Sequence, residues 1–311
     1  MATIQPKKRL FGAVMLSLCA LIWGFAFVAQ SNASEHLSAA SFSGMRFIFS
    51  FIGLFVIYVV YEALNKKFHY HSIPWSKETL IGGILCGLAL YLAMFCQQTG
   101  IETTTVSKAS FITAMYIVIV PLVGIVARQK PSIYCLPAIL IAVLGFYFMC
   151  INDSFKLTWG DAFVLACAMM YSMQILFISI YVKECDAIKL TLVQFASAAV
   201  IGIIAMAIDG FPSGVSIKSA IWEILYLGIL SGTIGFTLQT VGQKCVQPAT
   251  ATLIMSVEAV VGLVGGVIFL SQYPTPREVL GCLLVLFAVI LAQQETHRTF
   301  LRLSKNKYYL S

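Results

Sequence analysis

The sequence predicts an all-α integral membrane protein of ten transmembrane helices, arranged as two inverted five-helix repeats. Three observations lead there. Of 311 residues, 59% are hydrophobic and only 11% charged, with a mean hydropathy of +0.90. Soluble domains carry about 25% charged residues, and a soluble fold of this size needs a far more polar exterior. Ten segments approach the roughly 20 apolar residues that cross a bilayer. Finally, elements recur in a fixed order: Gly83-Ile84-Leu85-Cys86-Gly87 reads against Gly228-Ile229-Leu230-Ser231-Gly232, and Gln98 against Gln243, at one offset.

The segments run over residues 11–29, 40–62, 79–99, 104–127, 133–152, 159–181, 187–208, 220–241, 248–270 and 277–295. The first follows Lys7, Lys8 and Arg9 as a signal peptide would, but its length, its Trp23-Gly24 and a counterpart at 159–181 mark a retained span. The connection at 63–78 is polar and reads as a solvated loop. In the fourth span Lys108 sits one turn inside, close enough to snorkel, and Pro121 lies deep enough to kink the helix. Asp161 opens the sixth span, where the helix dipole stabilises a carboxylate. Pro248 begins the ninth, where its missing N–H costs little. Gly83xxxGly87, Gly228xxxGly232 and Gly262xxxGly266 are small-residue patterns that allow close helix approach. The first unit spans 10–152 and the second 157–295, with a linker too short for another domain. The basic tail, 296–311, either lies on an anionic membrane surface or is disordered.

At an offset of 148, Gly12 falls on Gly160, Cys19 on Cys167, Trp23 on Tyr171 and Arg46 on Gln194. Five spans per unit is an odd number, so the second unit enters from the opposite face, as in many secondary transporters. With the N-terminus inside, fifteen Lys and Arg fall on the cytoplasmic side and three outside. That bias places both termini in the cytoplasm, and the membrane is expected to be a bacterial cytoplasmic membrane.

The net charge of +7 does not mark a nucleic-acid binder, because the basic residues sit between apolar runs. Nine Cys lack any Cys-x-x-Cys pair and mostly lie in apolar runs, so no disulfide framework or zinc site is expected. All four His fall outside the spans. No phosphate-binding Gly-x-x-x-x-Gly-Lys-Ser/Thr loop is present. Neither metal nor cofactor is implied.

Ionisable groups at membrane depth are costly and default to function. Glu258 lies about ten residues into its span, roughly 15 Å deep at 1.5 Å per residue. Arg46 lies six or seven residues into the second span, within reach of a carboxylate on another helix. Two readings are open. Either both face one central cavity, as partners or through substrate, or Arg46 snorkels outward and Glu258 is a hydrogen-bonded packing residue. Thr113, Tyr116, Gln174, Gln194 and Gln239, with the repeat-related aromatics Trp23 and Tyr171, are further candidates to line the cavity. Each serves equally as helix–helix glue. Glu258 is also the candidate for proton coupling.

The stretches Leu21-Ile22-Trp23-Gly24-Phe25-Ala26-Phe27-Val28, Met45-Arg46-Phe47, Ala109-Ser110-Phe111-Ile112-Thr113 through Pro121, and Pro248-Ala249-Thr250-Ala251-Thr252 through Glu258 resemble the EamA family of the drug/metabolite transporter superfamily. The resemblance covers nearly the whole chain. It implies an exporter of amino acids or other small polar or amphipathic metabolites, working by alternating access. Ala259 follows Glu258 where many relatives have Pro, and Ser271-Gln272 replaces an acidic residue at the end of the ninth span. The expected function is secondary transport with a small-molecule substrate and the bilayer as partners, a homodimer being left open. The alternative is an intramembrane enzyme acting on a lipid or lipid-linked substrate. It is disfavoured because the spans lack His and hold one deep acid, whereas such chemistry needs a nucleophile with a base, a metal or paired acids.

Overall fold

The computed structural model describes residues 6–68, 73–126, 135–150, 158–284, 286–288 and 291; no β-strand occurs among them. The tail, the linker at 151–157 and the centre of the 63–78 connection fall outside the described residues. Among the described residues, eight helices, or runs of shorter helices in line, are long and apolar enough to cross a membrane. Three are uninterrupted in the first half: α1 (Pro6–Ala33), α2 (Ala39–Phe68) and α3 (Lys77–Ile101). Next come α4 (Val106–Thr113) and α5 (Tyr116–Val126), which share one span, and the shorter apolar α6 (Cys135–Cys150). The second half begins with α7 (Trp159–Tyr181) and α8 (Ala187–Asp209). A short α9 (Gly214–Ser219) leads into a span built from α10 (Ile221–Leu225), a π-helical stretch (Tyr226–Gly235) and α11 (Phe236–Gln243). Another span joins α12 (Pro248–Met255) to α13 (Val257–Leu270), and residues 276–284 are helical again.

Caps set where the helices start. Ser76, Thr105 and Thr158 each accept a hydrogen bond from the backbone N–H three residues on, satisfying a donor with no intrahelical partner. Asp186 does the same for the start of α8, and Pro248 occupies the first position of α12 as expected. Apolar side chains then divide between neighbours and lipid. Leu16, Cys19 and Ala20 of α1 are fully buried, while Leu10, Phe11, Val14, Leu18, Leu21 and Phe25 form an exposed stripe. A soluble protein rarely exposes such a surface; in a bilayer it faces acyl chains.

Helix α1 packs on α13, α11 and the π stretch, α2 on α8 and the π stretch, and α3 on both α7 and α8. The glycine patterns lie at these contacts. A Cβ on Gly228 would sit 2.6 Å from Phe49 Cβ, and one on Gly262 2.9 Å from Ser110 Cβ. Gly83 faces Val193, and Gly87 faces the Gln194 carbonyl.

Two expectations are corrected, and a second helix break appears. The fourth span breaks at Ala114–Met115 rather than at Pro121. There the ladder tightens, with Met115 N–H bonded to the Ile112 carbonyl and Ile117 N–H to Ala114, while Pro121 is carried inside α5. Proline removes only the bond to the carbonyl four residues earlier, and continuation of the helix past it accommodates that loss. The ninth span is likewise broken, at Ser256, whose hydroxyl donates to the Leu253 carbonyl and so competes with the helical ladder. Lys108 does not simply snorkel: its ammonium pairs with Asp161.

Asp161 is fully buried and does three jobs. It accepts from Thr158 N–H at 2.9 Å in a capping box, from Thr104 Oγ1 at 3.0 Å, and from Lys108. Replacement by Ala removes all three. Asp161→Ala is expected to lower stability by about 2 kcal/mol, read as a lower melting temperature in detergent. Lys108→Met costs less, because the lysine side chain remains partly exposed.

Candidate functional site

One cavity collects side chains from seven spans. Trp23, Ala26, Phe27 and Gln30 come from α1, Arg46 from α2, Met94 and Gln97 from α3, Thr113 and Tyr116 from the α4–α5 break, Tyr171 and Ile175 from α7, Ser231 from the π stretch, and Glu258 from the first turn of α13. Space for the centre of a water molecule within it is about 20 Å³, room for a water or two.

Local structure explains why these groups point inward. The two helix breaks put Tyr116 and Glu258 in the first turns of α5 and α13. Tyr116 Oη donates to Glu258 Oε1 at 2.7 Å, joining residues 142 apart in the chain. Bounds of α4 and α12 are separated by that same spacing, so Tyr116 and Glu258 stand at matching places after these two helices. A carboxylate at the start of a helix also faces its positive dipole end.

Arg46 is 3% exposed, and its Nη2 donates to Ser231 Oγ at 3.0 Å. The Ser231 carbonyl accepts from Trp23 Nε1 at 3.2 Å. One residue of the π stretch thus holds both the guanidinium and the indole; such stretches often occur at functional sites. Trp23 packs on Phe236 with ring centroids 4.6 Å apart and lies 6.3 Å from Tyr171. Gln97 Nε2 donates to Thr113 Oγ1 at 3.0 Å. Among the described residues, Arg46 and Glu258 form no ion pair with each other. Arg46 Nε and Gln30 Oε1 are buried without a hydrogen-bond partner.

Of the nine residues singled out in the sequence, Trp23, Arg46, Thr113, Tyr116, Tyr171 and Glu258 meet at this cavity. Gln174, Gln194 and Gln239 do not line it; they bond to one another elsewhere. Gln174 Nε2 donates to Gln194 Oε1 at 3.3 Å and to Gln239 Oε1 at 3.1 Å, and Gln239 Nε2 donates back to Gln174 Oε1 at 3.2 Å. Sequence reading missed Gln30, Gln97 and Ser231. A polar side chain inside an apolar run was the available signal for Gln97 and Ser231, the recurrence of Gly228–Gly232 already bracketed Ser231, and Gln30 falls just past the run at 11–29. No group of His, Cys, Asp and Glu among the described residues is arranged to hold a metal.

Comparison with known proteins identifies the family. The model of the EamA-like transporter family matches twice, at residues 10–151 and 158–293. An uncharacterized transporter of Archaeoglobus fulgidus is 26% identical over 290 residues, covering 92% of this chain and 87% of its own length. The uncharacterized transporter YoaV of Bacillus subtilis is 22% identical over 285 residues, covering 89% of this chain and 96% of its own. A protein of known crystal structure shares the fold at a TM-score of 0.71 with 14% identity, over 93% of this chain and 98% of that one. The chain belongs to the EamA-like transporter family: it is an integral membrane transporter of small molecules rather than an enzyme.

Proposed function

We propose that the protein is a secondary exporter of small polar metabolites, amino acids or related solutes, working by alternating access around the Arg46–Glu258 cavity. The observation that carries this is a separation of charge: a buried cation and a buried acid line one cavity without pairing. Arg46 is held by Ser231 and Glu258 by Tyr116, leaving Arg46 Nε to meet a solute carboxylate and Glu258 a solute ammonium. Buried charges need partners, and a zwitterion supplies both at once. Trp23 and Tyr171 offer apolar faces between them.

Alternating access rests on the same reading. Ten spans in two inverted units, 10–152 and 157–295, are supported by the double family match, the matched helix breaks and the reciprocal packing of α3 on α7 and α1 on α11. The small central space suits a site that opens to one side at a time. Both termini are assigned to the cytoplasm from the basic residues, and the host membrane is read as a bacterial inner membrane. Homodimer formation is tested by mass photometry in nanodiscs.

An efflux screen with the overexpressed protein, followed by counterflow in liposomes, tests the reading. Arg46→Ala is expected to lower counterflow of the identified solute by about tenfold or more, and Arg46→Lys to recover only part, since a point charge cannot replace the guanidinium fork. Equal counterflow by all three proteins would remove Arg46 from the site.

A further inference from the structure

The glutamine cluster lies outside the cavity, yet the repeat ties the two together. At the offset that pairs Trp23 with Tyr171, Gln174 is the counterpart of Ala26, and Gln194 of Arg46. At the offset that pairs Gly83 with Gly228, Gln239 is the counterpart of Met94. Ala26, Arg46 and Met94 all line the cavity. Their three counterparts are instead drawn together by hydrogen bonds, and each is no more than 1% exposed.

The two sets lie toward opposite faces. Gln30 and Gln97 of the cavity are about one turn from the C-terminal ends of α1 and α3, next to the connections 34–38 and 102–105. The Lys108–Asp161 pair brings the start of α7 to that face, and the Ser38–Asp209 hydrogen bond, 2.6 Å, brings the end of α8 there. The end of α7, the start of α8 and the end of α11 therefore point to the other face. Gln239 is about one turn from its helix end, and Gln174 and Gln194 about two from theirs.

We infer that Gln174, Gln194 and Gln239 line a second polar vestibule, closed by their own hydrogen bonds, which opens toward the face opposite the Arg46–Glu258 cavity. The inference rests on the inverted-repeat reading above. In its open form the amides exchange partners from each other to a polar solute, which needs hydrogen-bond donors and acceptors but no charge. Unused capacity is already present: Gln194 Nε2 and both amide atoms of Gln243 are buried without partners. Gln243 stands four residues beyond Gln239, on the same helix face. Below the cluster, Thr191 Oγ1 donates to Thr240 Oγ1 at 3.0 Å, so the closed seam continues toward that face. Exchange of conformations between the repeats opens one set as it closes the other.

The test uses membrane-impermeant maleimide on right-side-out and inverted vesicles, with single reporters Gln30→Cys and Thr191→Cys in the full chain with its native cysteines replaced. In the parent, position 30, itself buried, is expected to label from outside at the rate at which that face opens, and position 191 to resist labelling from the cytoplasmic side. Adding Gln174→Ala removes all three amide bonds. It is expected to raise cytoplasmic labelling at 191 by about tenfold and to lower outer labelling at 30 by a similar factor. The reciprocal fall is the readout that loosened packing alone would not produce. A rise at 191 with no change at 30, or no change at either, overturns the inference. Gln174→Asn keeps an amide with a shorter arm and serves if the alanine variant lowers the yield. Failure of the cavity reading looks different, because position 30 would then resist outer labelling in the parent.

Discussion

Glu258→Gln is expected to yield a protein that inserts and purifies normally but moves its solute at least about tenfold more slowly, a loss of about 1.4 kcal/mol or more in barrier terms. Glutamine has almost the same shape, and its carbonyl oxygen can still accept the hydrogen bond from Tyr116 Oη, now 2.7 Å long. The contact between the two helix breaks therefore survives. What disappears is the negative charge and the ability to take up and release a proton. Both matter only if the carboxylate meets the solute or the coupling ion, so packing and function separate in this variant. Flux of the solute identified by the efflux screen is measured in proteoliposomes between about pH 5.5 and 8. The native protein should show a pH-dependent flux and the variant a flat one. Matching flux and pH profiles in the two would exclude Glu258 as the coupling group. Tyr116→Phe complements the test: it removes the hydrogen bond, keeps the acid, and should alter flux less.

Gly24→Val is expected to prevent correct assembly, seen as loss of the monodisperse peak in detergent. Gly24 lies where α1 crosses α13, and a Cβ there would overlap Val261 and approach the Glu258 carbonyl oxygen at 2.8 Å. Backbone cannot swing aside as a long side chain does, so α1 and α13 must separate. Overpacking in a tight core typically costs 1–3 kcal/mol, and valine presses a branched side chain against a backbone that has no room. Gly24→Ala should assemble with a lower melting temperature. Gly214→Ala is the control: nothing lies within 4 Å of its Cβ position, and its effect should be negligible. Normal assembly of Gly24→Val would mean that α1 and α13 are not packed this closely.

How much of the site could be read from the chain follows from these residues. Glu258 and Arg46 stood out because charge at membrane depth is rare, a signal carried by composition alone. Trp23 and Tyr171 stood out through repetition. The three glutamines looked the same as the cavity residues in sequence, since polarity within an apolar run does not reveal which helix face a side chain occupies. Gln97 was overlooked for the same reason, and Gln30 because it falls just past the run at 11–29. Lys108 was read from its own helix alone, and its partner Asp161 comes from another span.

The amino-acid sequence by itself determined that the bilayer is this protein's solvent, roughly where the spans begin and end, and which transporter family it resembles. Hydrophobicity, caps and spacing are local properties, and they act within one helix. Tertiary structure alone decided that two spans break beside Tyr116 and Glu258, that Ser231 on a π-helical turn holds Arg46 and Trp23, and that three glutamines bond to each other. Those outcomes depend on which helix faces meet across more than a hundred residues of chain, where a hydrogen bond forms only if its partner arrives from another span.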